Sequence, residues 1–184
     1  QSIFKTHNIQ KFRAKQLIDY IYHRYIFDFE EMTQFPKELR QWLSDNCVIS
    51  LPTLITESVS PDGKTRKILV EMTDQSRVEA VLMEQHYGYS VCVSSQVGCA
   101  MGCVFCASTQ GGLYRDLTVS EIIGQVVIFG ALTKEQIHSV VVMGAGEPLQ
   151  NYDNVLQALQ LLHDPVICNI SYRKMTISTC GWVP

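Results

Sequence analysis

Three cysteines stand within eight residues, spaced Cys99-x3-Cys103-x2-Cys106. Three thiolates on one tight loop can ligate three irons of a 4Fe–4S cubane and leave the fourth iron open, whereas four-cysteine ferredoxin ligation closes every site. An open iron can chelate the amino and carboxylate groups of S-adenosylmethionine. Electron transfer into the sulfonium then releases a 5′-deoxyadenosyl radical, a step that belongs to the cofactor rather than the protein. Gly98 and Gly102 give such a loop backbone freedom. Phe105, between two of the ligands, either shields a cluster from water or packs locally. Zinc is the competing reading, but zinc takes four ligands, and no further cysteine or histidine lies at a usual knuckle spacing.

A second glycine-rich stretch, Gly144-Ala-Gly146-Glu147-Pro148, follows an apolar β-branched run. Glycines there let a backbone approach a ligand, and Glu147 can accept from the ammonium of a methionine moiety. A βα turn with a helix-capping acid is the plainer explanation. Ser178 and Thr179 end a third apolar run and invite the same pair of readings.

These residues need elements to position them. Apolar spacing predicts a helix over residues 11–26 and a second from Pro36 to about Asn46 that buries Leu39, Trp42 and Leu43. Three strands follow at 53–59, 65–72 and 77–83, the first two joined by Ser60-Pro61-Asp62-Gly63, a strong turn signal. They form an antiparallel meander. From Tyr89 the texture becomes strand 90–94, cysteine loop, helix 118–132 opened by a Thr-Val-Ser-Glu capping box, strand 139–143, helix 151–163 and strand 174–179. Alternation of this kind implies a parallel α/β sheet with right-handed crossovers, and puts the cysteine loop at the C-terminal end of a strand, where barrel active sites sit. The expected domains are 1–50, helical; 51–88, β extension; and 89–184, the first half of a (β/α) barrel, since a closed eight-fold barrel takes roughly 250 residues. The chain opens on Gln1, so it is expected to be a piece of something longer.

Seven cysteines, an odd number with three crowded together, do not suit a secreted disulfide scaffold and point to a reducing cytoplasm. No basic-then-apolar leader opens the chain, and apolar runs such as 126–132 fall far short of the roughly 20 residues a bilayer span needs. The net charge of −3 gives no general attraction to nucleic acid. Its distribution is uneven: residues 1–24 carry Lys5, Lys11, Arg13, Lys15 and Arg24 against Asp19, while 25–60 carry six acids against Lys37 and Arg40. A basic first helix can touch phosphates, or it can be a solvated face.

The stretch Cys92-Val-Ser-Ser-Gln-Val-Gly-Cys99-Ala-Met-Gly-Cys103-Val-Phe-Cys106 resembles the radical SAM adenine-C2 RNA methyltransferases and the related C8 enzymes that confer ribosomal antibiotic resistance. The resemblance continues through Leu117–Gln125, Val141–Pro148 and Thr176–Gly181, and reaches back to Phe12-Arg-Ala-Lys-Gln16 and Met32-Thr-Gln-Phe-Pro36. It implies the fold of the first half of a radical SAM partial barrel, with a helical accessory domain that contacts RNA. It also implies methylation of an adenine carbon in 23S rRNA, and of a tRNA adenine, by a cytoplasmic monomer fed electrons by a donor such as flavodoxin. On it, Cys99, Cys103 and Cys106 hold the 4Fe–4S cluster and Gly146, Glu147 and Ser178 contact S-adenosylmethionine. Glu79 matches the proton-removing base and Cys92 the cysteine that resolves a protein–RNA adduct by forming a disulfide. The methyl-carrying cysteine of the family lies in a C-terminal portion beyond these residues. Without the resemblance, Cys92 reads as core and Glu79 as a solvent-facing strand residue. Cys47, Cys168 and Cys180 match no catalytic position, and Cys180 reads as packing.

Overall fold

The computed structural model of the protein describes His7 and residues 9–182. Lys5, one of the five basic groups near the start of the chain, lies outside the described residues.

Helix α1 covers Lys11–Tyr22 and α2 covers Lys37–Asn46, started by Pro36 as expected. They enclose a small core of Ala14, Tyr20, Phe29, Met32, Phe35 and Leu43. Leu43 is fully buried, while Leu39 and Trp42 pack at its margin. The helix predicted over 11–26 stops at Tyr22 because the chain reverses: the N–H groups of His23 and Arg24 both reach Asp19 O, and Tyr25 adopts φ +55°. The apolar spacing continued past this point for another reason. Tyr22, at the end of the helix, and Tyr25, beyond it, pack against the main core.

That core lies under one six-stranded sheet of order β1-β2-β3-β4-β7-β8. Strands β1 (Thr53–Val59), β2 (Thr65–Glu71), β3 (Arg77–Gln85) and β4 (Gly88–Val93) are antiparallel neighbours; β7 (Ile137–Val142) and β8 (Met175–Ile177) add to β4 in parallel. The meander and the barrel strands are therefore continuous, joined by the β3–β4 hairpin, in which Val81 stands opposite Cys92. Helix α3 (Val119–Thr133) crosses between β4 and β7, and α4 (Tyr152–His163) between β7 and β8. The Thr118–Glu121 capping box is present. Alternate residues of the parallel strands, Val91, Val93, Val140 and Val142, bury against Ile122, Val126, Phe129, Ala158 and Leu162.

Helix α3 is apolar all round because it is covered on two sides. The sheet lies on one. On the other, Pro52 sits against Gly124 and the Tyr25 ring against Gly130, so closely that a Cβ at either glycine would collide. The family of strands also includes a small hairpin that the sequence reading placed within a loop: β5 (Gln96–Gly98) pairs with β6 (Leu113–Asp116) and brackets the cysteine loop.

Arg115 of β6 ties this hairpin to its surroundings. Its guanidinium meets Asp74 of the β2–β3 turn through two bonds of 2.6 and 2.9 Å, and Glu121 of the α3 cap through two of 2.9 and 2.8 Å. These hydrogen bonds hold Asp74 well below the usual carboxylate range; at Glu121 burial pushes upward, but the Arg115 and Thr118 bonds outweigh it. Carboxylates lowered in the folded state contribute stability above the ordinary carboxylate pKa, and lose it as pH falls toward the folded values. Arg115→Met should therefore lower Tm by a few degrees near neutrality, and the deficit should shrink as the pH is taken below about 4. Calorimetry across pH checks this; a deficit independent of pH would remove the ion pairs from the explanation.

Candidate active site

After β4 the chain makes a buried polar turn, Ser94-Ser95-Gln96, before starting β5. Buried peptide groups need partners, and each one left unmade costs about 1–3 kcal/mol. Gln125, fully buried on α3, supplies two: its Oε1 accepts Ser94 N–H at 2.9 Å and its Nε2 donates to Ser94 O at 3.1 Å. Asn151 Nδ2 donates to Ser95 O at 2.7 Å and to Leu117 O at 2.8 Å. The N–H groups of Ser95 and Gln96 both reach Ala145 O, and Gln96 Oε1 accepts Glu147 N–H at 2.8 Å. The turn after β4 and the turn after β7 thus grip one another.

On that platform the β5–β6 hairpin raises the cysteine loop. Gly98 takes φ +76°, and a Cβ there would drive into the Gly112 carbonyl oxygen across the hairpin, which also accepts Cys99 N–H at 3.1 Å. Gly102, at φ +67°, reverses the chain between the first two cysteines. Cys99, Cys103 and Cys106 are free thiols that line one cavity of about 230 Å³, with Met143, Gly146, Glu147 and Ser178 opposite. Among the described residues no three Cys, His, Asp or Glu side chains converge on a single metal-ion position. The thiols are distributed around a volume instead, and that donor set suits a polynuclear cluster, which takes one thiolate per iron. Phe105 lines this space as well, at its solvent side, with 90% of its surface exposed.

The Gly144–Pro148 turn departs from expectation in its details. A Cβ on Gly144 would come within 2.6 Å of Ser94 Oγ, and one on Gly146 within 2.6 Å of the Gln96 Cβ. These glycines are needed where the two turns interlock. Glu147 is buried and fully engaged. One oxygen accepts Thr179 Oγ1 at 2.6 Å and Leu149 N–H at 2.9 Å; the other accepts Cys180 N–H at 2.8 Å. Burial pushes its pKa up, but these bonds outweigh it and keep the carboxylate below its usual range. Glu147 therefore fastens the end of β8 to the end of β7. This capture of Thr179 also explains why β8 stops at Ile177, short of the predicted 179. Ser178 N–H still reaches Val142 O at 3.2 Å.

Glu79 and Cys92 line a second cavity of about 390 Å³, together with Arg77, Val81 and Ser94. It adjoins the first, because Cys106, Ser108, Met143 and Gly144 line both. Cys92 is half-buried rather than core; burial pushes its thiol up from the ordinary value, offset in part by the Met143 N–H that it accepts. Glu79 is exposed on its strand and pairs with Lys67 at 2.9 Å, while its main-chain carbonyl accepts Ser94 Oγ–H at 2.8 Å. All eight candidate residues thus lie around two adjoining spaces. Cys180, read from sequence as packing, is exposed and lines the first cavity. Cys168 is different: it packs against the core, and burial pushes its thiol up to about 12. Lys67, Met143 and Ser108 went unnoticed in the sequence because each lies in an ordinary strand or loop context.

Residues 93–184, half of the chain, match the model of the Radical SAM superfamily. The chain belongs to the radical SAM superfamily. Residues 1–49 match a second model, described as the ribosomal RNA large subunit methyltransferase N-terminal domain. Among curated relatives, a probable dual-specificity RNA methyltransferase RlmN from Symbiobacterium thermophilum is 50% identical over 95% of this chain and 47% of its own length. The corresponding protein of Clostridium perfringens strain 13 is 47% identical over 98% of this chain and 52% of its own. A crystal structure of a radical SAM methyltransferase from Sphaerobacter thermophilus superposes with a TM-score of 0.92 at 35% identity, covering 100% of this chain and 55% of that one. The chain spans about half the length of the curated relatives it matches.

Two outcomes follow from this radical SAM geometry. Gly98→Ala should reduce iron uptake on cluster reconstitution severalfold, since Ala resists positive φ by about 1–2 kcal/mol before any collision is counted. Gly63→Ala, at φ +73° with open space around it, should cost similar strain and leave iron uptake unchanged; equal losses in both would refute the hairpin argument. In cluster-free protein, Cys92 should be alkylated by iodoacetamide only at a higher pH than free cysteine requires, because burial disfavours its thiolate. Peptide mass spectrometry over a pH series reads this, and a free-cysteine profile at Cys92 would contradict it.

Proposed function

We propose that this chain is the cluster-bearing part of an enzyme that methylates a ring carbon of an adenine in RNA. The observation that carries the reading is that Cys106, Ser108, Met143 and Gly144 line both spaces, so the cysteine-lined cavity adjoins the one holding Glu79 and Cys92. In this reading Cys99, Cys103 and Cys106 hold a 4Fe–4S cluster, and Gly146, Glu147 and Ser178 frame the methionine end of S-adenosylmethionine. When bound, that pair supplies a carbon-centred radical.

The chain's own residues do the remaining work. Met143 and Ser108 line both cavities, so a methyl-derived fragment in one and an adenine in the other would be neighbours. Glu79 takes the proton lost from the ring carbon. Cys92 attacks the sulfur of a protein–RNA thioether, so that an S–S bond forms as the S–CH2 bond breaks. The freed carbon takes up one proton in exchange for the one Cys92 gives up, and the methylated RNA leaves, the two sulfurs remaining joined as a disulfide. The half-buried, protonated thiol of Cys92 is quiet until that attack requires a thiolate. The partner cysteine belongs to the remainder of the protein.

The names carried by the relatives support RNA as substrate, with 23S rRNA and tRNA adenines as the two cases to test. An unstacked loop adenine suits a site that must reach a ring carbon. Within the same reading we take C2 over C8 as the position modified, a reducing cytoplasm as the compartment, a monomer as the working state and a flavodoxin-like protein as electron donor. Among the described residues no helix is long and apolar enough to cross a membrane.

Anaerobic reconstitution should give broad absorbance near 400 nm, on the order expected for thiolate-bound clusters, and replacing any of Cys99, Cys103 or Cys106 by alanine should abolish it. In the full-length enzyme, Cys92→Ala should trap a covalent protein–RNA adduct. Release of methylated RNA at an undiminished rate would remove Cys92 from the mechanism. Mass spectrometry of the modified nucleoside distinguishes C2 from C8, and absence of methyl transfer to any RNA would overturn the reading.

A further inference from the structure

The exposed face of β2 and β3, opposite the buried Ile68, Val70, Val78 and Ala80, carries two acid–base pairs, and of their four side chains the proposed mechanism uses Glu79 alone. Register places Lys67 opposite Val81, Leu69 opposite Glu79, and Glu71 opposite Arg77. Lys67 and Glu79 are therefore diagonal neighbours on one face, and their charged ends meet at 2.9 Å. Arg77 meets Glu71, directly opposite it, at 2.8 Å. Arg77 and Glu79 both line the cavity that contains Cys92.

The Lys67–Glu79 pair is built to be exchanged. The two side chains are 51% and 57% exposed, and an ion pair so well solvated contributes only about 0–1 kcal/mol. Lys67 is the sole side-chain partner of the Glu79 carboxylate among the described residues. The Glu79 backbone is fixed independently, by Ser94 Oγ on its carbonyl. Loss of Lys67 would thus leave Glu79 in place with its carboxylate uncovered.

A polyanion approaching this face meets an acid at the mouth of the cavity and a cation bound to that acid. A phosphodiester offers the ammonium a full charge, and neutralising it also releases counter-ions to bulk solvent. We propose that Lys67 is an exchanging phosphate contact: as an RNA strand arrives, its ammonium leaves Glu79 for a phosphodiester of that strand. Glu79 Oε1 is then uncovered beside Cys92 only when substrate is present. The proposal rests on the reading of RNA as substrate and of Glu79 as proton acceptor, and makes Lys67 a positioning residue for both.

The test uses cluster-loaded enzyme and a fluorescent RNA hairpin with one unpaired loop adenine, with Kd measured across a potassium chloride series. Lys67→Met should weaken binding and reduce the slope of log Kd against log salt by about 0.7–0.9, the value of one phosphate contact. Lys67→Arg should restore the slope. Glu79→Gln, by releasing the ammonium, should tighten binding by up to about fivefold, and should do so only when Lys67 is present. An unchanged slope in Lys67→Met, or an equal Glu79→Gln gain in the Lys67→Met background, would overturn the exchange alone. If the unsubstituted enzyme fails to bind the hairpin in a salt-dependent way, the RNA reading falls and the exchange falls with it.

Discussion

The arrangement of this molecule depends on keeping one polar turn dry. Ser94-Ser95-Gln96 lies at the C-terminal end of β4, beneath the cysteine loop, and all three residues are buried. A turn normally leaves its peptide groups to water. Here the partners must come from protein, and four residues from separate stretches of chain supply them: Leu117 just after β6, Gln125 on α3, Ala145 in the turn after β7, and Asn151 at the start of α4. Satisfying the turn therefore fixes α3, the turn after β7 and the start of α4 relative to the foot of the cysteine loop. At about 1–3 kcal/mol for each buried group left unpaired, the set outweighs the surface ion pairs of the chain, which contribute far less apiece.

Glu147 extends the same logic by one strand. A carboxylate this buried must be hydrogen-bonded if it is to stay charged, and its three donors come from its own turn and from the segment after β8. The acid brings Ser178 and Cys180 to the wall of the cysteine-lined cavity. Because Gly144 and Gly146 let the two turns approach so closely, side-chain size and carboxylate bonding are one constraint there. A ligand contact at Glu147 would add to a position already set by packing.

Much of this was legible in the sequence, and the failures have physical causes. The order of strands and helices from Tyr89 onward follows from period and capping, because Val140–Val142 and the Thr118–Glu121 box are strong local signals. The β5–β6 hairpin was not legible: strands of three and four residues are too short to show a period, and their pairing depends on Gly98 meeting Gly112 across fourteen residues. The end of α1 was misplaced because Tyr25 is apolar for the sake of Gly130, a contact more than a hundred residues away. Glu79 and Cys92 were marked by family resemblance alone; alternation assigns them to a strand face and says nothing of a cavity. Cys180 was misjudged because its exposure depends on where Glu147 pulls the segment after β8.

The two cavities differ in how they treat charge, and this difference bears on how one site could serve two kinds of chemistry. Around the cysteine loop, the fixed carboxylate of Glu147 is held by neutral donors, two N–H groups and a hydroxyl. Around Glu79 the arrangement is reversed: the acid faces a mobile ammonium, and a second pair, Glu71–Arg77, stands beside it. Two of the three donors to Glu147 are backbone N–H groups, which cannot swing away from the carboxylate. An ammonium on a four-carbon stem can. One wall is thus electrostatically rigid and the other adjustable, and the two meet at Met143 and Ser108, an apolar thioether and a small hydroxyl that line both spaces.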